Sequence, residues 1–326
     1  MKLSVLDQSV ISKNLHAANA LQNTIYLAKR TEELGYTRFW VAEHHNSNGI
    51  AGTSPAVLIS SIASQTNRIR VGSGGVLLPQ YSPFKIAEDF KVLEALYPNR
   101  IDLGIGRSPG GSTPTRLALT DGMRKSLNEF PRQVMELQNY LANSPLDHDV
   151  RAYPSIETQP EIWMLGVSQR GARLAAEKGT AFTYGHFINP ISGSIAMKHY
   201  RENFQPSGTL ANSKANICVF VVCAPTQEEA EEMAMSQDLW LLAVEKGEDT
   251  FILSKEEAKR ADLSEEDREI VRKNRKRAII GTPEKVKEEL VRLSENYQTD
   301  EFMIITNIYD FEEKLQSYTL LAQAVL

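Results

Sequence analysis

Short apolar runs rich in β-branched residues alternate along this chain with longer amphipathic stretches. Eight such runs stand out, at residues 3–9, 37–45, 69–78, 100–107, 161–167, 180–187, 215–224 and 302–306. The stretch from Ala17 to Leu34 places apolar side chains at helical spacing and is closed by Gly35, as expected of an amphipathic helix. The pattern therefore predicts repeated β-strand and α-helix units, which is typical of an α/β fold.

Helix starts can be located from capping residues. Ser54-Pro55 and Ser82-Pro83 each combine a hydroxyl residue with a following proline, which suits the N-cap and the first helical position. The run Thr226 to Glu229 has the spacing of a capping box. Each of these positions follows one of the apolar runs, so the strands and helices alternate as βα units require.

Two regions depart from this regular alternation. Residues 108–160 form an enlarged connection after the fourth strand, with a loop from Ser108 to Pro114 and a helix only near Ser126 to Leu141. Residues 245–277, before the last strand, carry many charges of both signs and two further helix starts, at Ser254 and Ser264. We interpret this second region as a solvated helical insertion over one rim of the sheet.

Two architectures can hold eight βα units in 326 residues. One is a single (β/α)8 TIM barrel spanning residues 1–326, with insertions after strand 4 and before strand 8, and the other is an open, doubly wound sheet. Candidate ligand groups follow several different strands, whereas an open sheet concentrates them at one crevice. The sequence therefore favours the barrel.

Composition and charge narrow the class of ligand. The formal net charge is −5, and no basic stripe is present to neutralise nucleic-acid phosphates. No run of 18 apolar residues and no cleavable signal pattern occurs. We expect a cytoplasmic protein with a small-molecule ligand, without a membrane or nucleic-acid partner.

The two cysteines do not indicate a redox or metal motif. Cys218 and Cys223 are five residues apart in one apolar run, so on a strand their side chains face opposite ways. We expect two buried free thiols.

The first candidate for chemistry is Glu43-His44-His45, where an apolar strand meets the loop that follows it. Adjacent strand residues diverge, and no further His or carboxylate has the spacing of a metal site, so we predict no metal. Imidazole titrates near neutral pH, which suits acid/base work beside Glu43. A structural role stays open for His45 and for His186, at the end of residues 180–187.

Glycines replace side chains on two neighbouring strands. Gly74 and Gly75 interrupt a β-branched run, and Gly104 and Gly106 alternate with isoleucine and leucine on the next strand. Such positions allow a flat ligand to lie close to the backbone, although tight packing or a bulge would also explain them.

Two segments are candidates for phosphate binding. Arg107 follows the second glycine strand, and its guanidinium can bind a phosphate with two hydrogen bonds, although an ordinary surface arginine is the alternative. Ser168 to Gly171 connects the strand predicted at residues 161–167 to the helix that follows it. The first amides of such a helix favour an anion. The nearby Gly104 to Gly110 has Pro109 where a dinucleotide fingerprint needs its third glycine, so we reject a Rossmann site.

Together these motifs resemble the bacterial luciferase-like flavin monooxygenases, which are TIM barrels. The resemblance rests on residues 40–45, 71–79, 83–89 and 100–107, and extends to Gly281 to Glu284 and the final helix. It implies that His44 lies beside the flavin and that Gly74-Gly75 is a cis peptide supporting the ring. It also implies that Arg107, Ser168 and the amides of Gln169, Arg170 and Gly171 bind the phosphate, and that residues 245–277 form a mobile loop that shields the reaction from water.

The resemblance further implies an FMN-dependent monooxygenase that receives reduced FMN from a separate flavin reductase, uses O2 and forms a homodimer. An oxidoreductase using deazaflavin F420 and a flavin-binding protein without turnover are the alternatives. Gly106 occupies the position of the reactive cysteine in bacterial luciferase, which puts light emission and an aldehyde substrate in doubt. Candidate substrate-pocket residues are His45, Tyr81 and His186, with Leu6, Ser9 and residues 108–115 as further lining.

Overall fold

The computed structural model describes residues 1–142 and 149–326. Its strands are β1 (Lys2–Asp7), β2 (Arg38–Val41), β3 (Arg70–Val76), β4 (Ile101–Gly106), β5 (Glu161–Gly166), β6 (Ala181–Gly185), β7 (Ala215–Cys223), β8 (Ala278–Gly281) and β9 (Glu301–Ile305). Its helices are α1 (Ala17–Glu33), α2 (Pro55–Ala63), α3 (Pro83–Leu96), α4 (Thr113–Leu119), α5 (Phe130–Ala142), α6 (Gln169–Glu177), α7 (Gly193–Glu202), α8 (Gln227–Lys246), α9 (Lys255–Lys259), α10 (Glu265–Arg275), α11 (Pro283–Tyr297) and α12 (Phe311–Val325).

The sheet closes on itself. Neighbouring strands pair in parallel in the order β1 to β7, then β9, which pairs back with β1. These eight strands are the eight apolar runs predicted from the sequence, and helices cover the outside, so the predicted (β/α)8 TIM barrel is confirmed. The carboxyl ends of all eight strands consequently meet at one rim.

A ninth strand was missed by the sequence interpretation. Strand β8 pairs only with the last residues of β7, from Phe220 to Cys223, because β7 is nine residues long and extends past its partners in the barrel. The charge pattern predicts one continuous insertion over residues 245–277, followed directly by a helix. The short run Ala278 to Gly281 gave too little periodicity to be recognised.

Most of the apolar core lies between the barrel and its helices, and a second cluster fills the barrel itself. The interior cluster contains Leu6, Trp40, Trp163, Cys218 and Met303, whereas Cys223 belongs to the outer core. The two cysteines are therefore buried, free and on opposite faces of β7, as predicted. The amino-terminal end of the barrel is closed by buried charged groups, described below.

Helix starts agree with the capping prediction in position but not always in chemistry. Pro55 and Pro83 begin α2 and α3, yet neither Ser54 nor Ser82 forms the expected side-chain cap. Thr226 forms a full capping box, as do Ser254 and Ser264. Proline fixes the first turn without needing an N–H partner, so the serine cap is dispensable there.

The enlarged connection after β4 contains more helix than predicted. Helix α4 begins at Thr113, inside the loop predicted from Ser108 to Pro114. Its start is stabilised because the Ser112 Oγ accepts a hydrogen bond from the Thr115 amide and Pro114 lies in the first turn. Helix α5 agrees with the predicted helix. Residues 143–148 of this connection lie outside the described residues.

The charged insertion is helical and lies beside the rim. Helices α9 and α10 pack on α8, and the segment between α8 and α9 meets the loops after β1 and β2. The Lys13 amide donates to the Ile252 carbonyl at 2.8 Å, and the Ser47 and Thr250 hydroxyls are 2.7 Å apart. Mobility and shielding by this insertion stay predictions.

Candidate functional site

A cavity of about 1100 Å³ opens where the strands end at the carboxyl-terminal rim. Rims of this kind hold the active sites of TIM-barrel enzymes. The cavity is lined by nine of the residues singled out from the sequence as site candidates: His44, His45, Gly74, Gly75, Arg107, Ser168, Gln169, Arg170 and Gly171. The fold thus brings together groups from four different βα units.

The glycines on β3 and β4 play unequal parts. Gly74-Gly75 is a cis peptide bond, as the resemblance implied. A Cβ on Gly75 would lie 2.8 Å from the Gly104 carbonyl oxygen, and one on Gly74 would lie 2.6 Å from Leu6 Cδ1. A Cβ on Gly106 would meet nothing within 4 Å. Packing within the barrel therefore explains the first two glycines, while Gly106 faces open cavity.

His44 follows β2 and lines the cavity. Its backbone N–H donates to the Gly52 carbonyl at 2.9 Å, which fixes the residue in the chain. The buried Nδ1 has no hydrogen-bond partner among the described residues. Burial, reinforced by neighbouring His45, lowers the pKa of His44 to about 4. At neutral pH the imidazole is uncharged and can accept or donate a hydrogen bond.

Glu43 holds the neighbouring groups in place. Its buried carboxylate accepts hydrogen bonds from His45 Nε2 at 2.7 Å, from the Leu77 amide at 2.9 Å and from the Tyr81 hydroxyl. Burial, together with this carboxylate, raises the pKa of Tyr81. Tyr81 does not line the cavity, so the prediction that it does is wrong: its hydroxyl turns toward Glu43.

Arg107 lies at the end of β4 with most of its guanidinium uncommitted. Its Nε donates to the Leu127 carbonyl at 3.1 Å, which holds the side chain along the cavity wall. Arg170 and Arg173 line the same wall, but Arg173 is paired with Glu177 at 2.7 Å. The wall therefore carries cations that can bind an anionic group.

Ser168 is the N-cap of α6. Its hydroxyl accepts a hydrogen bond from the Gly171 amide at 3.4 Å, and the first helical residues lie on the cavity wall. The early amides of a helix lack partners within the helix and, with the helix dipole, favour an anion. The geometry is compatible with the predicted phosphate contact.

His186 is not part of the cavity. Its Nδ1 lies 2.7 Å from the Tyr297 hydroxyl, and burial, together with the positive charge of Arg292, lowers its pKa to about 4. The prediction of a substrate-pocket role is wrong, because Thr183 and Gly185 on the same segment line the cavity and strand side chains alternate between faces. His186 follows Tyr184 onto the outer face.

The predicted additional lining is correct only in part. Leu6 lines the cavity, as do Ser108, Gly110 and Gly111, but Ser9 and residues 112–115 do not. The Ser9 hydroxyl instead lies 2.9 Å from the hydroxyl of Thr24, a buried residue of α1. Further lining residues that were not predicted from the sequence are Phe130, Thr183, Phe187, Ile188, Cys218 and Met303. Alternation along β6 and β7 would have indicated Thr183 and Cys218.

Among residues 1–142 and 149–326, no group of three or more His, Cys, Asp or Glu side chains has an arrangement that could hold a metal ion. In the same part of the chain, every helix is too short or too polar to cross a membrane.

A closed parallel barrel with arginines and a neutral histidine around a rim cavity is the arrangement of a TIM-barrel enzyme. The model of the luciferase-like monooxygenase family matches residues 1–299, and the chain belongs to that family. Its family is that of the luciferase-like monooxygenases, and several relatives are themselves named monooxygenases. The chain is accordingly a monooxygenase.

Individual relatives cover the whole chain. The Bacillus subtilis (strain 168) protein YceB is 52% identical, with 99% of each chain covered. An N-acetyl-S-alkylcysteine monooxygenase of the same organism is 39% identical, covering 100% of this chain and 98% of the relative. The crystal structure of apo-MsnO8 superposes with a TM-score of 0.91 at 36% identity, covering 99% of this chain and 98% of that one.

Proposed function

We propose that this chain is an FMN-dependent monooxygenase that uses reduced FMN and O2 to oxygenate a small organic substrate. One oxygen atom enters the substrate, and the other leaves as water with two electrons and two protons from the reduced flavin. A separate reductase supplies the reduced FMN, in keeping with the lack of a dinucleotide fingerprint around Gly104 to Gly110.

The observation that carries the proposal is the combination of open space, free cation and free imidazole in one cavity. Gly106 faces open cavity. Among residues 1–142 and 149–326, Arg107 has guanidinium N–H groups to spare beyond its bond to Leu127, and His44 Nδ1 is buried without a partner. These features suit a planar ring, a phosphate and a polar ring atom, respectively. The residues present therefore fit FMN.

Each part of the site has a task in this proposal. Arg107, Ser168 and the amides of Gln169, Arg170 and Gly171 hold the phosphate, because charge-assisted hydrogen bonds to an oxyanion are strong. FMN supplies the redox chemistry and the activation of oxygen. Neutral His44 exchanges a proton at Nδ1 with the reacting groups. The apolar walls at Leu77, Phe130 and Phe187 exclude water.

For the substrate we propose a thioether that carries a carboxylate. The 39% identical relative is named for N-acetyl-S-alkylcysteines, and this cavity combines apolar walls with cations at its mouth. An alkyl thioether suits the apolar walls. Arg170, which forms no ion pair within the described part of the chain, suits the carboxylate once the phosphate is held by Arg107.

The first test is cofactor binding. We expect oxidised and reduced FMN to bind to the purified chain and F420 to bind at least tenfold more weakly in calorimetric titrations. Arg107→Met should weaken FMN binding about 30- to 100-fold, since a charge-assisted, bidentate contact is lost. Arg173→Met is the matched control, because this arginine lines the same wall but is already paired, and its variant should stay within threefold of wild type.

Turnover is tested with reduced FMN, O2 and N-acetyl-S-methylcysteine, with the sulfoxide and hydrogen peroxide both measured. Formation of sulfoxide supports the proposed substrate class. Binding of F420 in place of FMN would favour the F420 oxidoreductase, and release of peroxide alone across a panel of thioethers and ketones would favour a flavin-binding protein without turnover. Sedimentation velocity tests the expected homodimer.

A further inference from the structure

The floor of the cavity contains one hydroxyl that the proposed function does not yet use. Thr183 lies on β6 and lines the cavity. Only 3% of its surface is exposed. Its Oγ1 is buried and has no hydrogen-bond partner among the described residues. A buried hydroxyl without a partner is unfavourable, so a group inside the cavity is the natural partner.

The other floor side chains offer little hydrogen bonding. Leu6 and Met303 are apolar, and Cys218 carries only a thiol, which is a weak donor and acceptor. The indole N–H of Trp40 is turned away from the cavity, because it donates to Asp102 Oδ2 at 2.9 Å. Thr183 is therefore the strongest side-chain hydrogen-bonding group among the described residues of the floor.

Strand register places Thr183 at the depth of a ring rather than of a phosphate. Thr183 pairs with Leu165 on β5, and the proposed phosphate contact, Ser168, lies three residues further along the same segment. Because residues 167 and 168 form a bend after the end of β5, these three residues span at most about 10 Å. The ribityl chain of FMN separates the phosphate from the ring by a comparable length, so an FMN held at Ser168 brings its ring to the level of Thr183.

We infer that the Thr183 hydroxyl forms a hydrogen bond with the polar edge of the isoalloxazine ring, an inference that rests on the proposed function. The hydrogen-bonding atoms of the ring lie on its pyrimidine half and at N5, while the dimethylbenzene half has none. A single hydroxyl in an apolar floor therefore selects which end of the ring points into the barrel. Thr183 fixes the orientation of the ring, and Arg107 fixes the phosphate.

The test compares Thr183→Val, which keeps the shape but removes the hydroxyl, with Thr183→Ser, which keeps the hydroxyl. Dissociation constants for oxidised FMN and for riboflavin are measured by quenching of flavin fluorescence. We expect Thr183→Val to weaken both ligands about fivefold and Thr183→Ser to stay within twofold of wild type. Cys223→Ala, a truncation of the other buried cysteine on the outer face of β7, should also stay within twofold.

Melting temperatures of the ligand-free proteins separate ligand binding from a structural role. Because Oγ1 has no partner within the described protein, Thr183→Val should melt at the wild-type temperature or above it. The inference is overturned if Thr183→Val binds FMN like wild type, if Thr183→Ser is as weak as Thr183→Val, or if ligand-free Thr183→Val melts at a lower temperature. Failure of the wild-type protein to bind FMN would instead overturn the proposed function, and this inference with it.

Discussion

The two ends of the barrel differ in how their buried polar groups are paired. At the amino-terminal end, the buried Arg38 donates to Asp102 and Glu301, each at 2.8 Å, and Arg70 donates to Asp102 at 2.8 Å. At the carboxyl-terminal rim, His44 Nδ1 and Thr183 Oγ1 are buried without partners in the described chain. The buried charges at the amino-terminal end are therefore paired within the protein, whereas we assign the two unpartnered atoms of the cavity to a ligand.

The charges at the amino-terminal end depend on one another. Burial alone would raise the pKa of Asp102, but Arg38 and Arg70 hold it below its ordinary value. Arg38 also lies over the ring of Trp163, with 4.7 Å between the guanidinium carbon and the ring centroid. Removing one member would leave the others buried and uncompensated. This end therefore contributes to folding, whereas we assign the rim to ligand binding.

The largest effect we predict comes from removing an arginine from the paired charges at the amino-terminal end of the barrel. Arg38→Met leaves two buried carboxylates without their shared partner and should lower the free energy of unfolding by about 3 to 5 kcal/mol, as measured by urea denaturation. The control is Arg30→Met, which removes an exposed i,i+3 pair with Glu33 and should change the free energy by less than about 0.5 kcal/mol. Equal stability of the two variants would show that the two ends do not differ as described.

At the rim we predict a loss of activity without a loss of stability. His44→Asn should lower the yield of oxygenated product about 100-fold, a typical contribution of general acid–base catalysis, and raise the share of hydrogen peroxide. Melting of the ligand-free protein should be unchanged, because Nδ1 has no partner in the described chain. His199→Asn, which changes another histidine of the cavity lining, should keep product yield within threefold. Unchanged coupling in His44→Asn would remove His44 from the mechanism.

The smallest predicted effect concerns a histidine in the outer layer. His186 has a pKa of about 4 in the folded protein against an ordinary value of 6.5. The unfolded chain therefore binds the proton more readily between pH 6.5 and 4, so stability is complete above pH 6.5 and falls as the pH drops through this window. The loss is on the order of 2 kcal/mol at pH 4, given about 1.4 kcal/mol per pKa unit.

This pH effect is isolated by comparison with a variant. In His186→Asn the decrease of unfolding free energy between pH 6.5 and 4 should be smaller than in wild type, while the two proteins should show parallel behaviour from pH 7 to 9. Identical slopes in the acidic range would mean that His186 is not held neutral by its surroundings near Tyr297.

The sequence indicated the barrel well because its strongest signal is the recurrence of β-branched runs between amphipathic stretches. It missed two short elements, β8 with four residues and α4 with seven, whereas β2, also of four residues, was recognised from the longer apolar run around it. The two missed segments carry too few periods for the pattern to be recognised. Their formation depends instead on the overhang of β7 and on the local cap at Ser112.

The site could be predicted as far as strand ends alone decide it. His44, Arg107 and Ser168 follow parallel strands, and parallel strands of a barrel deliver their carboxyl ends to the same rim. Tyr81 and His186 also lie near strand ends, but the orientation of a side chain depends on its partners. The Tyr81 hydroxyl donates a hydrogen bond to the Glu43 carboxylate, and the His186 Nδ1 is hydrogen-bonded with the Tyr297 hydroxyl.

The order of strands and helices and the residue types at the rim follow from the amino-acid sequence, because periodicity and capping are local properties of the chain. Contacts between distant segments set which glycines face open cavity, which charges neutralise one another and which buried atoms lack a partner in the described chain. A Cβ on Gly104 would meet the Ser73 carbonyl at 1.9 Å, while one on Gly106 would meet nothing within 4 Å. Two identical residues on one strand differ in this way because their surroundings come from distant parts of the chain.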